Sequence, residues 1–213
     1  MSNFAVLALI ALGIFTAFGQ TTGVMAEVAF PPSLVAFFQP FFPELDFRQV
    51  RLHVGLPWYL ERLGLAALTI GHDIYVSSRY FDPCSPFGIA ILGHELYHVH
   101  QGWRNPVGFF VGYNVEFFRK GLANQLKNRF ELPAYLFQYR LLVGIEEVCA
   151  EIGPPTGRCI NIDSGFIAIW TERYGPGFSE RFYQIPLPSA WLKADFGLSD
   201  AEVEEYQRYR PSP

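Results

Sequence analysis

Gly93-His94-Glu95-Leu96-Tyr97-His98-Val99-His100-Gln101 is the stretch on which the reading of this chain turns. His94 and His98 lie four residues apart, with Glu95 directly after the first histidine. On a helix, side chains at i and i+4 share one face, so both imidazoles can reach one metal ion. Glu95 is turned about one residue away, within reach of a water held on that ion. Two neutral nitrogen ligands and one general base are the physical content of HExxH. The flanking residues predict a helix here. Ser85 is a good N-cap, and Pro86 suits the first helical position, where a missing N–H costs nothing. Phe87, Ile89, Ala90, Ile91, Leu92 and Leu96 make the helix apolar on more than one side, as in a buried element. Buried histidines and a buried glutamate need partners. Zinc supplies one; a hydrogen-bonded structural pair is the alternative.

The chain has 213 residues, enough for one domain with a full core. Half of them are hydrophobic and only 17% charged, and the net charge of −4 argues against nucleic acid or an anionic membrane surface as partner. The sequence has no internal repeat, low-complexity tract, Gly-rich phosphate loop or serine-nucleophile elbow.

Phe4 to Gly19 is a continuous uncharged apolar run. It is short for a membrane span and suits the core of a secretory signal, with Ala17-Phe18-Gly19 and Val24-Met25-Ala26 as cleavage sites. Residues 1–26 therefore read as a signal peptide, or else as an N-terminal anchor, and residues 27–213 as a single domain. The expected location is secreted or periplasmic, with membrane anchoring through residues 4–19 as the alternative. In an oxidising compartment Cys149 and Cys159, which bracket a Pro-Pro-Thr-Gly turn, are expected to form a disulfide and leave Cys84 unpaired. Three free thiols in a reducing cytosol are the other possibility.

Val50–Val54 alternates as a half-buried strand, and Pro57–Leu65 reads as a helical turn. Ala67–Ile70 and Ile74–Val76 read as two strands around Gly71-His72-Asp73. Val107–Phe118 is apolar and aromatic and fits no single state. Asn124–Leu142 is predicted helical with an interruption at Leu132-Pro133, and Val143–Cys149 extends it. Residues 153–180 are predicted to be mostly loop around an ordered apolar insert, Phe166–Trp170. Ser199 and Glu202 form a capping box for a last helix. Glu146, Glu147 and Glu151 are either solvated acids near a helix end or the source of a third metal ligand. Tyr97 and Tyr135 are either core aromatics or donors to an oxyanion in a transition state. His72 suits a tight turn better than a substrate contact.

Taken in order, these features resemble a known family. Val50–Gly55, Ala67–Ser77, Ser85–Gly88, Leu92–Gln101 and the glutamate context Glu131–Tyr135 are similar to the HExxH-bearing core domain of extracellular contractile injection system proteins, which is grouped with gluzincin-like metallopeptidases. The resemblance covers about residues 48–138, with residues 143–213 as a helical and loop extension. It implies an α+β fold in which a small antiparallel sheet lies beside the HExxH helix and a second helix brings a third ligand. Carried over residue by residue, His94 and His98 match the histidine ligands of a zinc ion, Glu95 the base and Glu131 the third ligand. Glu131 follows His98 by 33 residues, enough chain to turn and bring a second helix alongside, and Pro133 helps to fix the start of that helix.

The expected activity is zinc-dependent hydrolysis of a peptide bond in a peptide or protein substrate, with Glu95 as general base on the water. The competing class is a non-catalytic binding or structural module that keeps zinc as a folding staple.

Overall fold

The computed structural model describes residues 26–62, 64–79, 81–82, 84–120, 126–152 and 160–210. The apolar run Phe4–Gly19 and its cleavage sites lie outside the described residues. The first strand, β1 (Ala26–Val28), is followed by helix α1 (Pro32–Phe38). Proline occupies the first helical position of α1, and Leu34, Phe37 and Phe38 are its buried face. Phe41 and Phe42 continue that face into the turn beyond it.

Strand β2 (Arg51–Val54) is linked by the short helix α2 (Trp58–Arg62) to the hairpin β3 (Ala67–Ile70) and β4 (Asp73–Val76). Gly71 makes the hairpin turn at φ 64°, a conformation glycine adopts without strain. The sheet order is β1-β2-β4-β3. β1 and β3 are antiparallel to their neighbours, but β2 and β4 run parallel, with Leu52 opposite Ile74. The antiparallel sheet expected from the resemblance is thus corrected to a mixed one. The connection through α2 and β3 is long enough to reverse the chain twice and lay β4 along β2 in the same direction. This topology leaves β3 at an edge.

Helix α3 (Pro86–Arg104) carries the HExxH stretch. Ser85 caps it as expected, its side chain accepting from Gly88 N at 2.9 Å, and every residue from Gly88 to His100 is buried. The segment that fitted no single state is helix α4 (Pro106–Lys120), with Phe109 and Tyr113 turned inward and Val107, Phe110 and Val111 exposed. Apolar side chains on both faces erase the periodicity by which a helix is read. Helix α5 (Glu131–Ile152) packs lengthwise on α3. It starts at Glu131 because Pro133, in its first turn, needs no backbone donor there.

The rest of the chain completes the core. Helix α6 (Ser164–Tyr174) is capped by Asp163 and extends the expected apolar insert at both ends. Helices α7 (Glu180–Tyr183), α8 (Ser189–Phe196) and α9 (Asp200–Arg208) follow, the last opened by the Ser199–Glu202 capping box. Phe41 is a hub of the core, edge-on to Phe137, Phe178 and Phe182 at ring separations of 5.2, 5.4 and 5.2 Å. Each fully buried ring contributes roughly 1.5–3 kcal/mol in transfer terms, so this aromatic layer is a principal anchor of α3 and α5. Among the described residues no helix is long and apolar enough to cross a membrane.

The cysteines differ from expectation. Cys149 is free, so the expected Cys149–Cys159 bridge is not formed, whereas Cys84, expected to be unpaired, is disulfide-bonded. Cys159 lies outside the described residues. Cys149 is locked within α5, which continues to Ile152, while Ile160 N donates to the Cys84 carbonyl at 3.0 Å and brings the returning chain to that loop.

Candidate metal centre

Packing α3 against α5 places three donor atoms at one point. His98 Nε2 lies 3.0 Å from His94 Nε2, and Glu131 Oε2 lies 3.2 Å from His94 Nε2 and 3.4 Å from His98 Nε2. All three residues are buried, with 4–6% of their surface exposed. A tetrahedral ion with bonds of about 2.0–2.1 Å sets its donors roughly 3.3 Å apart, so the spacing suits a shared metal. The donor set of two imidazole nitrogens and one carboxylate also fits such an ion, and these residues form a group that could hold a metal.

The surrounding residues orient this group. Gln101, one turn beyond His98, has Oε1 at 2.9 Å from His98 Nδ1, and its Nε2 donates to the Phe130 carbonyl at 3.0 Å. With the proton on Nδ1 donated to Gln101, the His98 Nε2 lone pair faces the donor cluster. Tyr113 donates from α4 to Glu131 Oε1, leaving Oε2 for the histidines. Among the described residues His94 Nδ1 is buried without a hydrogen-bond partner, and the Tyr135 ring packs edge-on to the His94 ring at 4.5 Å.

Electrostatics follow from that closeness. Burial acts to lower the His98 imidazole, but the Glu131 carboxylate outweighs it and holds the group up at about 9. Burial likewise acts to raise the Glu131 carboxyl, yet the two histidines keep it well below its ordinary range. Tyr113 is pushed up by burial and by the Glu131 charge it faces.

Glu95 is buried on the same helix and is held from the sheet. Thr69 of β3 donates to Glu95 Oε2 at 2.6 Å and lies 3.2 Å from its main-chain carbonyl. Of the two tyrosines singled out in the sequence, Tyr135 sits beside His94, whereas Tyr97 is in the aromatic core against Phe42 and Phe137. The acidic cluster is elsewhere. Glu147 accepts from Tyr174, and Arg173 pairs with both Glu147 and Glu151 on the surface. His100 points away from the donors, against Phe42 and 3.9 Å from Glu44. His53 pairs with Asp73 at 2.7 Å, and His72 in its turn lies by Trp103.

Sequence reasoning missed Gln101, Tyr113 and Thr69. Gln101 was within reach of helical spacing, three residues after His98. The other two come from a helix with no clear period and from an edge strand, and only the fold brings them to the site.

A buried two-histidine, one-glutamate centre on an α+β scaffold defines the class: a domain with a group that could hold a metal ion, beside a further carboxylate anchored by Thr69. In comparison with known families, residues 29–106 match the eCIS core domain, so this part of the chain is similar to that family. The match starts farther upstream than the resemblance read from the sequence, and it ends before Glu131. No curated protein and no solved structure matches the chain.

Proposed function

We propose that the domain is a zinc-dependent peptidase, with His94, His98 and Glu131 as the ligands and Glu95 as general base. The observation that carries this reading is the convergence of three buried donors within 3.4 Å of one another next to a carboxylate that is not part of the cluster. Bound there, zinc supplies a Lewis acid for a carbonyl and acidifies water. The protein's own residues do the rest. Glu95 takes a proton from the attacking water as its oxygen bonds to the carbonyl carbon, and passes that proton to the amine as the C–N bond breaks. Among the described residues β3 is an edge strand beside α3, a position at which an extended peptide can add to the sheet. Tyr135, next to His94, is the better placed of the two tyrosines to face a developing oxyanion. Export through the apolar run Phe4–Gly19 fits a peptidase acting outside the cytosol, and N-terminal sequencing of mature protein tests it.

The main test is metal stoichiometry with peptide-library cleavage. Glu131→Ala should lose zinc and Glu147→Ala should keep it. Glu95→Gln should keep both metal and fold and lose turnover. A chain that binds zinc and cleaves nothing, with Glu95→Gln indistinguishable from wild type, would assign it to the non-catalytic zinc-stabilised class.

A further inference from the structure

The geometry points to Thr69 as the positioning residue for Glu95, a tie from the edge strand β3 that fixes which carboxylate oxygen is free to receive a proton. This inference rests on the metallopeptidase reading above and adds to it a residue from outside the HExxH helix.

A glutamate on a helix has three rotatable side-chain bonds, and ordering it costs on the order of 1–2 kcal/mol in lost rotamer freedom. At this site an unrestrained Glu95 has two competing destinations: the position of a base, and the neighbouring imidazoles, which would attract it as they attract Glu131. Something must hold it off. Among the described residues, the hydrogen bond to its carboxylate comes from Thr69, at 2.6 Å to Oε2, a short contact. The same hydroxyl lies 3.2 Å from the Glu95 main-chain carbonyl, so Thr69 touches both the side chain and the backbone of one residue.

The strand explains how Thr69 comes to be there. Side chains two apart on a strand share a face. Ala67 packs against the main core, so Thr69 is on the face turned toward the helices, while the intervening Leu68 faces the other way. The pairing of Thr69 with Ile74 of β4, whose side chain is fully buried, fixes this register. Thr69 is half-buried and β-branched, so its own χ1 is restricted and its hydroxyl is a rigid donor. With Oε2 occupied, Oε1 is left as the proton acceptor. Among the described residues the hydrogen bonds of Thr69 go to Glu95 and not to the three donors, so its effect on the metal is separable from its effect on the base.

The experiment uses the full chain loaded with zinc, as wild type, Thr69→Val, Thr69→Ser and Glu95→Gln, with acetohydroxamate as probe. A chelating hydroxamate shares its hydroxyl proton with an adjacent carboxylate, so its affinity reports where that carboxylate stands, without a known substrate. Zinc stoichiometry is read first and should be the same in all four proteins. Thr69→Val should then bind acetohydroxamate about tenfold more weakly, the scale of one hydrogen bond to a charged group. Thr69→Ser, which keeps the hydroxyl and loses a methyl, should stay near wild type, and Glu95→Gln sets the floor. On any peptide that is cleaved, Thr69→Val should lower kcat and leave KM unchanged. Wild-type affinity in Thr69→Val overturns the proposal, as does equal weakening in Thr69→Ser, which would make the role one of packing. Absence of zinc from the wild type overturns the metal reading itself and this inference with it, and the stoichiometry separates that outcome from the others.

Discussion

Tyr113 donates its hydroxyl to Glu131 Oε1, the oxygen not turned toward the histidines. The bond joins a helix with no metal-binding residue of its own to the expected third ligand, and it commits the carboxylate to present Oε2 alone. Tyr113→Phe should keep the fold, because the ring still packs against Phe109 and Phe130. It should weaken zinc binding about tenfold, the lower end of what outer partners of metal ligands contribute. Competition with a chromogenic chelator measures this, and an unchanged affinity would remove Tyr113 from the site.

Gly93 precedes the first histidine where α3 lies against Phe137 and Leu141 of α5. A Cβ there would stand 2.3 Å from Leu141 Cδ1 and 3.1 Å from Phe137 Cε1. Gly93→Ala gains up to about 1 kcal/mol of helix propensity. Leu141 is fully buried and has little room to give, so overpacking of about 1–3 kcal/mol should win. Urea unfolding should show a net loss of stability.

The proton balance at the site predicts how metal uptake depends on pH. The His98 imidazole is raised from 6.5 to about 9 in the fold, burial opposing and Glu131 prevailing. A raised group contributes stability that is full below its unfolded value, about 6.5, and that fades as pH rises through about 9. Glu131 is lowered, so its contribution is present above its unfolded value of 4.5 and fades as pH falls through the depressed one. The metal-free pair thus stabilises most between about 4.5 and 6.5. At neutral pH a metal must displace the His98 proton. Calorimetry in buffers of differing protonation enthalpy should show about one proton released per ion, with affinity climbing with pH until about 9.

The cysteines give a covalent test. Cys149 should be alkylated in native, non-reduced protein and Cys84 should not. Cys149→Ala should be close to neutral, while Cys84→Ala should lower the melting temperature, since removing a disulfide typically costs about 2–5 kcal/mol in a small domain. Mass spectrometry of non-reduced peptides checks the pairing.

The centre was legible where chemistry is written locally. HExxH spacing, the Ser85-Pro86 start and the apolar flanks placed His94, Glu95 and His98 on one buried helix. Glu131 was reached only through resemblance, because a single acid before Leu132-Pro133 carries no periodic signal. What the sequence did not reveal is tertiary. The parallel pairing of β2 with β4 depends on a crossover that local alternation cannot encode, and α4 hides its period because its outer face is apolar too. The cysteine pairing failed for a related reason: nearness in sequence suggested Cys149 with Cys159, but Cys149 belongs to a continuous helix.

Arg140 lies on α5, nine residues beyond Glu131, and is fully buried. Its Nη2 reaches toward the carbonyls of Gln207 and Tyr209 at 3.4 and 3.3 Å, and its guanidinium stands over the Tyr183 ring. The helix that provides the third donor is therefore seated on the last part of the chain. A fragment cut where the family match stops, at residue 106, would keep two donors and Thr69 but lack Tyr113, Glu131 and everything that seats α5. A fragment ending soon after α5 would hold all three donors yet leave a bare cation where Arg140 is covered. The smallest unit that keeps the candidate metal centre on its full support therefore extends to about residue 210, well past the boundary that family comparison draws.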